Sequence, residues 1–199
     1  MVDQVRSMES RVGRKNQRES SPAIISLGSS SNVISSPLLR YPGHAVERRN
    51  ADIPPPLGYG SKGERLVAGV VPLSKDKSLV LMIQSAGRGG WVLPKGGWET
   101  DEGSAQQAAC REAWEEAGVV CTVLRDLGTI PDMRPSTLLS SNAPRASYQF
   151  FEVTVDREED RWPEMHKRRR QWVPYAQAAA ALASRPELLE ALNRSSMKR

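Results

Sequence analysis

No apolar run in this chain approaches the roughly 18–20 residues that a membrane-spanning helix requires, so nothing in it points to a helical membrane protein. The first thirty residues are polar, carry both signs of charge, and contain no apolar stretch of the secretory-leader type. The expectation is an intracellular protein, cytoplasmic, with basic clusters that would also admit it to the nucleus. Cysteine is scarce, with two in 199 residues. Cys110 falls in a helical stretch and Cys121 in an extended one, so they form no compact metal-ligand cluster and read as small, reduced packing residues. There is no internal repeat, and few aromatics are left over for stacking on a base. What is present is 39% hydrophobic and 26% charged residues, the balance of a globular protein with room for one domain and a tail. The net charge of +5 hints at a polyanionic partner, but charge alone does not choose between nucleic acid and a phosphate-rich small molecule.

Composition divides the chain. Arg6, Arg11, Arg14, Lys15 and Arg18 make a short basic start. From Glu19 to about Gly60, runs such as Ser29-Ser30-Ser31 and Pro54-Pro55-Pro56 lack helical or strand periodicity and read as a disordered insertion or linker. The expected organisation is therefore a basic segment and Ser/Pro-rich insertion over 1–61, a folded domain over 62–193, and a loose basic tail over 194–199. Within the domain, Leu66–Leu73 and Leu79–Ile83 are Val-rich strands joined by a turn, and Trp91–Leu93 is a third strand closed by Pro94. Ser104–Ala117 reads as a helix capped by Ser104 and ended by Gly118. Val119–Leu124, Gly128–Ile130, Tyr148–Val155 and Gln171–Val173 read as strands, with Tyr175–Ala183 and Pro186–Leu192 as closing helices. This order predicts an α/β fold with a mixed sheet.

The chemistry concentrates in two adjacent stretches, Gly96-Gly97-Trp98-Glu99-Thr100-Asp101-Glu102-Gly103 and Arg111-Glu112-Ala113-Trp114-Glu115-Glu116-Ala117-Gly118-Val119. Glu112, Glu115 and Glu116 stand at i, i+3 and i+4, one face of a helix, while Cys110, Trp114 and Ala117 point the other way, toward a core. Neighbouring carboxylates raise one another's pKa unless cations neutralise them. Oxygen donors of this kind suit hard cations such as Mg²⁺ or Mn²⁺. Taken alone, Glu-x-x-Glu-Glu reads equally well as a solvated acidic face. The glycine-rich loop before the helix, which lets backbone approach a ligand, and Arg111 beside the first glutamate favour a site.

The stretch resembles the Nudix box, G-x5-E-x7-R-E-U-x-E-E-x-G-U with U apolar: Gly97, Arg111, Glu112, Ala113, Glu115, Glu116, Gly118 and Val119 fall in register. One position departs. Gly103 occupies the place of the first glutamate, with Glu102 one residue earlier. The resemblance covers most of residues 62–192 and implies a Nudix α/β/α sandwich. It also implies that Gly97, Glu102 and Arg111 brace the loop. Trp91-Val92-Leu93-Pro94-Lys95-Gly96-Gly97-Trp98-Glu99 looks like the diphosphoinositol polyphosphate phosphohydrolase branch, particularly its fungal members, in which the first acid tends to be displaced. That branch also cleaves diadenosine polyphosphates and, in some members, inorganic polyphosphate.

The resemblance implies metal-assisted hydrolysis. Glu112 and Glu116 would ligate Mg²⁺, with backbone carbonyls near Lys95 and Gly96 completing a shell, and Glu115 would orient or deprotonate the attacking water. Arg65, Ser85, Arg88, Lys95, Arg145, Arg168 and Arg185 would contact substrate phosphates, with Arg18 a weaker candidate. Each of these arginines also reads as an ordinary solvated cation. The run Lys167–Arg170 needs an anion or several acids nearby, and Glu158, Glu159, Asp160 and Glu164 are available for that second part. The expected partner is a polyphosphorylated small molecule rather than nucleic acid or membrane, acted on by a monomer. Two other readings are a nucleotide or mRNA-cap hydrolase, which would call for aromatic stacking, and a non-catalytic sensor of phosphate-rich ligands, which typically lacks box glutamates.

Overall fold

The computed structural model describes residues 57–87, 89–135, 137 and 144–199. The basic start with Arg18, nearly all of the Ser/Pro-rich stretch, and Arg88 lie outside the described residues. Ordered pairing is already present at Leu57, bridged to Glu99, and at Tyr59, bridged to Arg65.

Among the described residues, seven strands form one mixed sheet. β1 (Arg65–Leu73) and β2 (Leu79–Gln84) are the two Val-rich runs, joined by the expected turn. β3 (Trp91–Val92) continues outward from β2, and the strand order is β3-β2-β1-β6-β5. β1 runs parallel to β6 (Ala146–Glu158) over its full length, Arg65 opposite Ala146 to Leu73 opposite Thr154. β7 (Arg170–Pro174) pairs antiparallel with β2. A strand flanked by neighbours and covered by helices carries apolar residues on both faces, and Val67, Ala68, Val70, Val71 and Leu73 of β1 are all buried.

Two elements differ from the expectation. Lys95–Gly97, read as loop, is a short strand, β4, paired antiparallel with β1. It fits because Gly69 of β1 has no side chain: a Cβ there would lie 2.6 Å from the Phe150 ring and 2.7 Å from Lys95 Cβ. The two runs after the first helix are one strand, β5 (Val119–Pro131), whose register against β6 slips at three points. Such bulges interrupt the period-2 pattern by which a single strand is recognised.

α1 (Ala105–Ala117) begins and ends where its caps dictate. Ser104 Oγ accepts from the Gln107 N–H at 3.2 Å, and Gly118 takes the left-handed conformation at φ 64°, its N–H donating to the Trp114 carbonyl. Ala109, Cys110, Ala113 and Ala117 are buried and pack α1 against the sheet. Trp114, expected in that core, is only half-buried; the small alanines bring the helix close instead. Cys110 and Cys121 are free, buried thiols 3.9 Å apart. α2 (Tyr175–Leu182) packs against β2, β3 and β7, and α3 (Pro186–Arg194) against β5 and α2. The architecture is an α/β sandwich.

The end of the chain is not loose. Ser196 Oγ and its N–H donate to Glu152, the Lys198 N–H donates to the Lys77 carbonyl, and Met197 is buried. The reason lies in Glu152, which is 2% exposed. A carboxylate that deep needs partners, and residue 196 joins Lys77 and Arg125 in supplying them.

Candidate active site

A cavity of about 600 Å³ opens where β4, the first turns of β1 and β6, and α1 meet. Glu112 and Glu116, one helical turn apart on α1, face it together with Glu99, Lys95 and Gly96. The Glu112 carboxylate lies directly over Gly96, and a Cβ on that residue would overlap it. A side chain at Gly96 would displace the acid from its place over β4. Glu116 accepts the Lys95 N–H at 2.7 Å and pairs with Arg168 at 2.6 Å.

Arg111 organises the acids. Its Nε donates to Glu102 at 2.7 Å, Nη1 to Glu112 at 3.0 Å and Glu115 at 2.8 Å, and Nη2 to the Gly97 carbonyl at 2.8 Å and again to Glu102 at 3.2 Å. Glu102 also accepts the Glu99 N–H at 2.9 Å. The displaced acid thus reaches both the arginine and the loop backbone, while Gly103, in the box position, has only Gln107 Oε1 near its missing Cβ.

Burial works against charge on these carboxylates. It raises Glu112 to about 7; Arg111 opposes the rise, and neighbouring Glu116 and Glu115 add to it. Burial likewise raises Glu115 and Glu116, with Arg111 opposing it at the first and Lys95 at the second. The Lys95 ammonium is held below the usual lysine range by burial, with Glu116 pulling the other way. Burial also disfavours the Arg111 cation, but Glu102, Glu112 and Glu115 together outweigh that and raise its pKa.

Among the described residues no three acid, histidine or cysteine side chains converge as a closed metal cage. The donors present nevertheless fit a hard cation. Glu112 and Glu116 present two carboxylates on one cavity wall that could serve as oxygen ligands, the Glu112 carboxylate sits in a cradle that a Cβ would fill, and Mg²⁺ is commonly held by one or two carboxylates with waters and substrate phosphates completing the shell.

The arginines expected at substrate separate into two groups. Arg65 and Arg185 line the cavity. Arg145 lines a second cavity of about 540 Å³ that shares Pro144 and Ala146 with the first, and its guanidinium donates to the carbonyls of Asp132 and Arg134. Ser85 is not among the residues lining the first cavity, and its N–H is bonded to the Gly90 carbonyl. Arg168 is held by Glu116, Glu164 and the Gln84 carbonyl. The acids foreseen for the Lys167–Arg170 run do take part: Glu164 pairs with Lys167 and Arg168, and Glu158 with Arg170. Arg134, which also lines the cavity, escaped the sequence reading. Asp132 and Arg134, two apart and ion-paired, carry no helical or strand spacing that would have singled them out.

The sequence pattern of the NUDIX domain matches residues 63–193. The chain is 38% identical over 130 residues to Nudix hydrolase 18, mitochondrial, of Arabidopsis thaliana, covering 61% of this chain and 70% of that protein. That relative's name assigns it to mitochondria, an address different from the cytoplasm expected here. Among solved structures, a NUDIX hydrolase from Nitrosomonas europaea superposes with a TM-score of 0.56 at 20% identity, over 66% of this chain and 87% of that one. The Ap4A hydrolase of C. elegans does so with a TM-score of 0.50 at 22% identity, over 66% and 95%. At such identities these two structures speak for the fold alone. Among the described residues no helix is long and apolar enough to cross a membrane.

Proposed function

The chain belongs to the NUDIX domain family, and on that premise we propose that it is a metal-dependent pyrophosphohydrolase of polyphosphorylated small molecules. Its proposed substrates are diphosphoinositol polyphosphates and diadenosine polyphosphates, with inorganic polyphosphate as a further phosphoanhydride. The observation that carries the reading is the meeting of Glu112 and Glu116 with Arg65, Arg185 and Lys95 in one cavity. A pair of acids able to hold Mg²⁺ or Mn²⁺ stands beside cations able to hold phosphate, the two complements a phosphoanhydride requires.

A divalent cation on Glu112 and Glu116 would neutralise charge on the phosphate oxygens and acidify a water. The chain's own groups do the rest. Glu115, the most exposed of the three helix acids, is not among the residues lining the cavity; held beside Glu112 by Arg111, it is assigned as the base that takes the water's proton. Its raised pKa brings it closer to the value that suits proton transfer near neutral pH. Arg111 Nη1 donates to both Glu112 and Glu115 and holds the two carboxylates side by side. The Lys95 N–H orients Glu116, and the Lys95 ammonium, Arg65 and Arg185 bind the phosphates. Arg168, paired with Glu116, positions that acid from outside the cavity.

The test is a pair of initial rates with Mg²⁺, one on a diphosphoinositol pentakisphosphate and one on diadenosine hexaphosphate. Magnesium-dependent release of phosphate or of a nucleotide product from at least one is expected. Tight binding of both with turnover of neither would replace the hydrolase by a sensor of phosphate-rich ligands.

A further inference from the structure

Arg134 presents a guanidinium to the same cavity as the acids, yet no box position accounts for it. It is not a surface cation that happens to turn inward. Asp132, whose side chain is 0% exposed, holds it: Arg134 Nε donates to Oδ1 at 2.8 Å, Nη2 donates to Oδ2, and the Arg134 N–H donates to Oδ1 at 3.1 Å. The Ala146 N–H donates to the same carboxylate at 3.2 Å, so Asp132 ties the arginine to the start of β6.

Arg185 repeats the arrangement. Its Nε donates at 2.6 Å to Glu187, a fully buried carboxylate whose Oε2 has no hydrogen-bond partner among the described residues. A third guanidinium, that of Arg65, belongs to a residue lining the cavity, and its buried Nε likewise has no partner among the described residues. Buried polar atoms without partners are uncommon and ask for an explanation. Three like charges around one cavity repel one another. Here two of them are pinned from behind by buried acids that fix one edge of each guanidinium. Among the described residues, Arg134 Nη1 and both Arg185 Nη groups have no hydrogen-bond partner and carry the fork geometry that suits phosphate oxygens. The buried phenol of Tyr148 lines the cavity beside them.

We propose that Arg134, with Arg185 and Arg65, forms a subsite for a phosphate group remote from the one being cleaved, and that Asp132 and Glu187 are its positioning residues. The proposal rests on the hydrolase reading for the identity of the cleaved group, but the subsite binds anion whether or not turnover occurs. It makes Arg134 a determinant of preference for substrates rich in phosphate.

The experiment has two arms. In the first, kcat and KM are measured along diadenosine tri-, tetra-, penta- and hexaphosphate for the wild type, Arg134→Ala, Arg134→Lys and Asp132→Asn. Arg134→Ala is expected to raise KM about tenfold on the longest substrates, as loss of a charge-assisted bond implies, while kcat and the triphosphate constants hold within about twofold. Arg134→Lys restores part of the loss, and Asp132→Asn gives a weaker version of the same split. An equal loss along the whole series, or none, overturns the subsite.

The second arm measures binding of myo-inositol hexakisphosphate in metal-free buffer by calorimetry. About tenfold weaker binding to Arg134→Ala is expected, with a melting curve confirming that the variant is folded. Unchanged binding overturns the subsite even if turnover is intact. Weakened binding in a protein that hydrolyses nothing supports the subsite and rejects the hydrolase reading instead.

Discussion

Arg111 uses all five of its N–H donors on Glu102, Glu112, Glu115 and the Gly97 carbonyl, a pattern that the three donors of a lysine cannot reproduce. Its importance is legible in the sequence from its place beside the first helix glutamate. The resemblance implies that Glu102, one residue before the box position, braces the loop, and its carboxylate spans Arg111 and the Glu99 N–H. Asp132 is the opposite case, invisible to any spacing argument. The hydrogen bonds from Arg134 hold its pKa down at about 2, well below the ordinary 3.8. A carboxylate depressed on folding contributes stability that is complete above its unfolded value and lost as pH falls through the folded one. Acid titration of urea stability should therefore show wild type losing ground on Asp132→Asn from about pH 4 down to pH 2. A constant gap between the two proteins across that window would contradict the pairing.

At the scale of elements, α1 was readable because everything that defines it is local. Ser104, Gly118 and the run of Ala, Gln and Glu between them are start, stop and propensity signals within one stretch. β4 was not readable, because Lys95-Gly96-Gly97 has no strand propensity. It is a strand only because β1 offers it a paired edge and Glu112 needs the space over Gly96. The end of α1 likewise depends on a distant residue. Arg170 donates to the carbonyls of Ala117 and Gly118 at 2.8 and 3.2 Å, stacks 4.4 Å over Trp162 and pairs with Glu158. Sequence placed Arg170 in a basic run with phosphate or acids as its alternatives; it is held by acid and by a helix end, where a cation is favoured. Arg170→Ala is expected to cost about 2 kcal/mol of unfolding free energy and to lower activity through α1 rather than through substrate affinity. Urea denaturation beside KM measurements checks this, and a rise in KM at unchanged stability would return Arg170 to the substrate.

Over the whole molecule, the sheet gathers what the sequence scatters. Pairing of β1 with β4 and β6 sets Val67 between Gly97 and Tyr148, which brings the loop before α1 and the start of β6 to one cavity. The acids were legible from helical spacing, whereas the cavity's cations come from segments far apart in the chain, Arg65 at the start of β1 and Arg185 at the cap of α3, and only the tertiary fold decides which of them meet. That is why Arg65 and Arg185 line it while Arg145 and Arg168 are directed to other partners. The C-terminal residues follow the same logic, since their role is set by Glu152, 44 residues upstream of Ser196. Whether Glu112 and Glu116 hold the divalent cation on which turnover depends is decided by titrating Mg²⁺ or Mn²⁺ against the initial rate for wild type, Glu112→Gln and Glu116→Gln on the better substrate, with thermal melts alongside. Folded variants are expected whose rates fall by roughly two orders of magnitude or more and recover little at high metal. Folded variants that keep the wild-type rate and the wild-type metal dependence would contradict that role of the two acids.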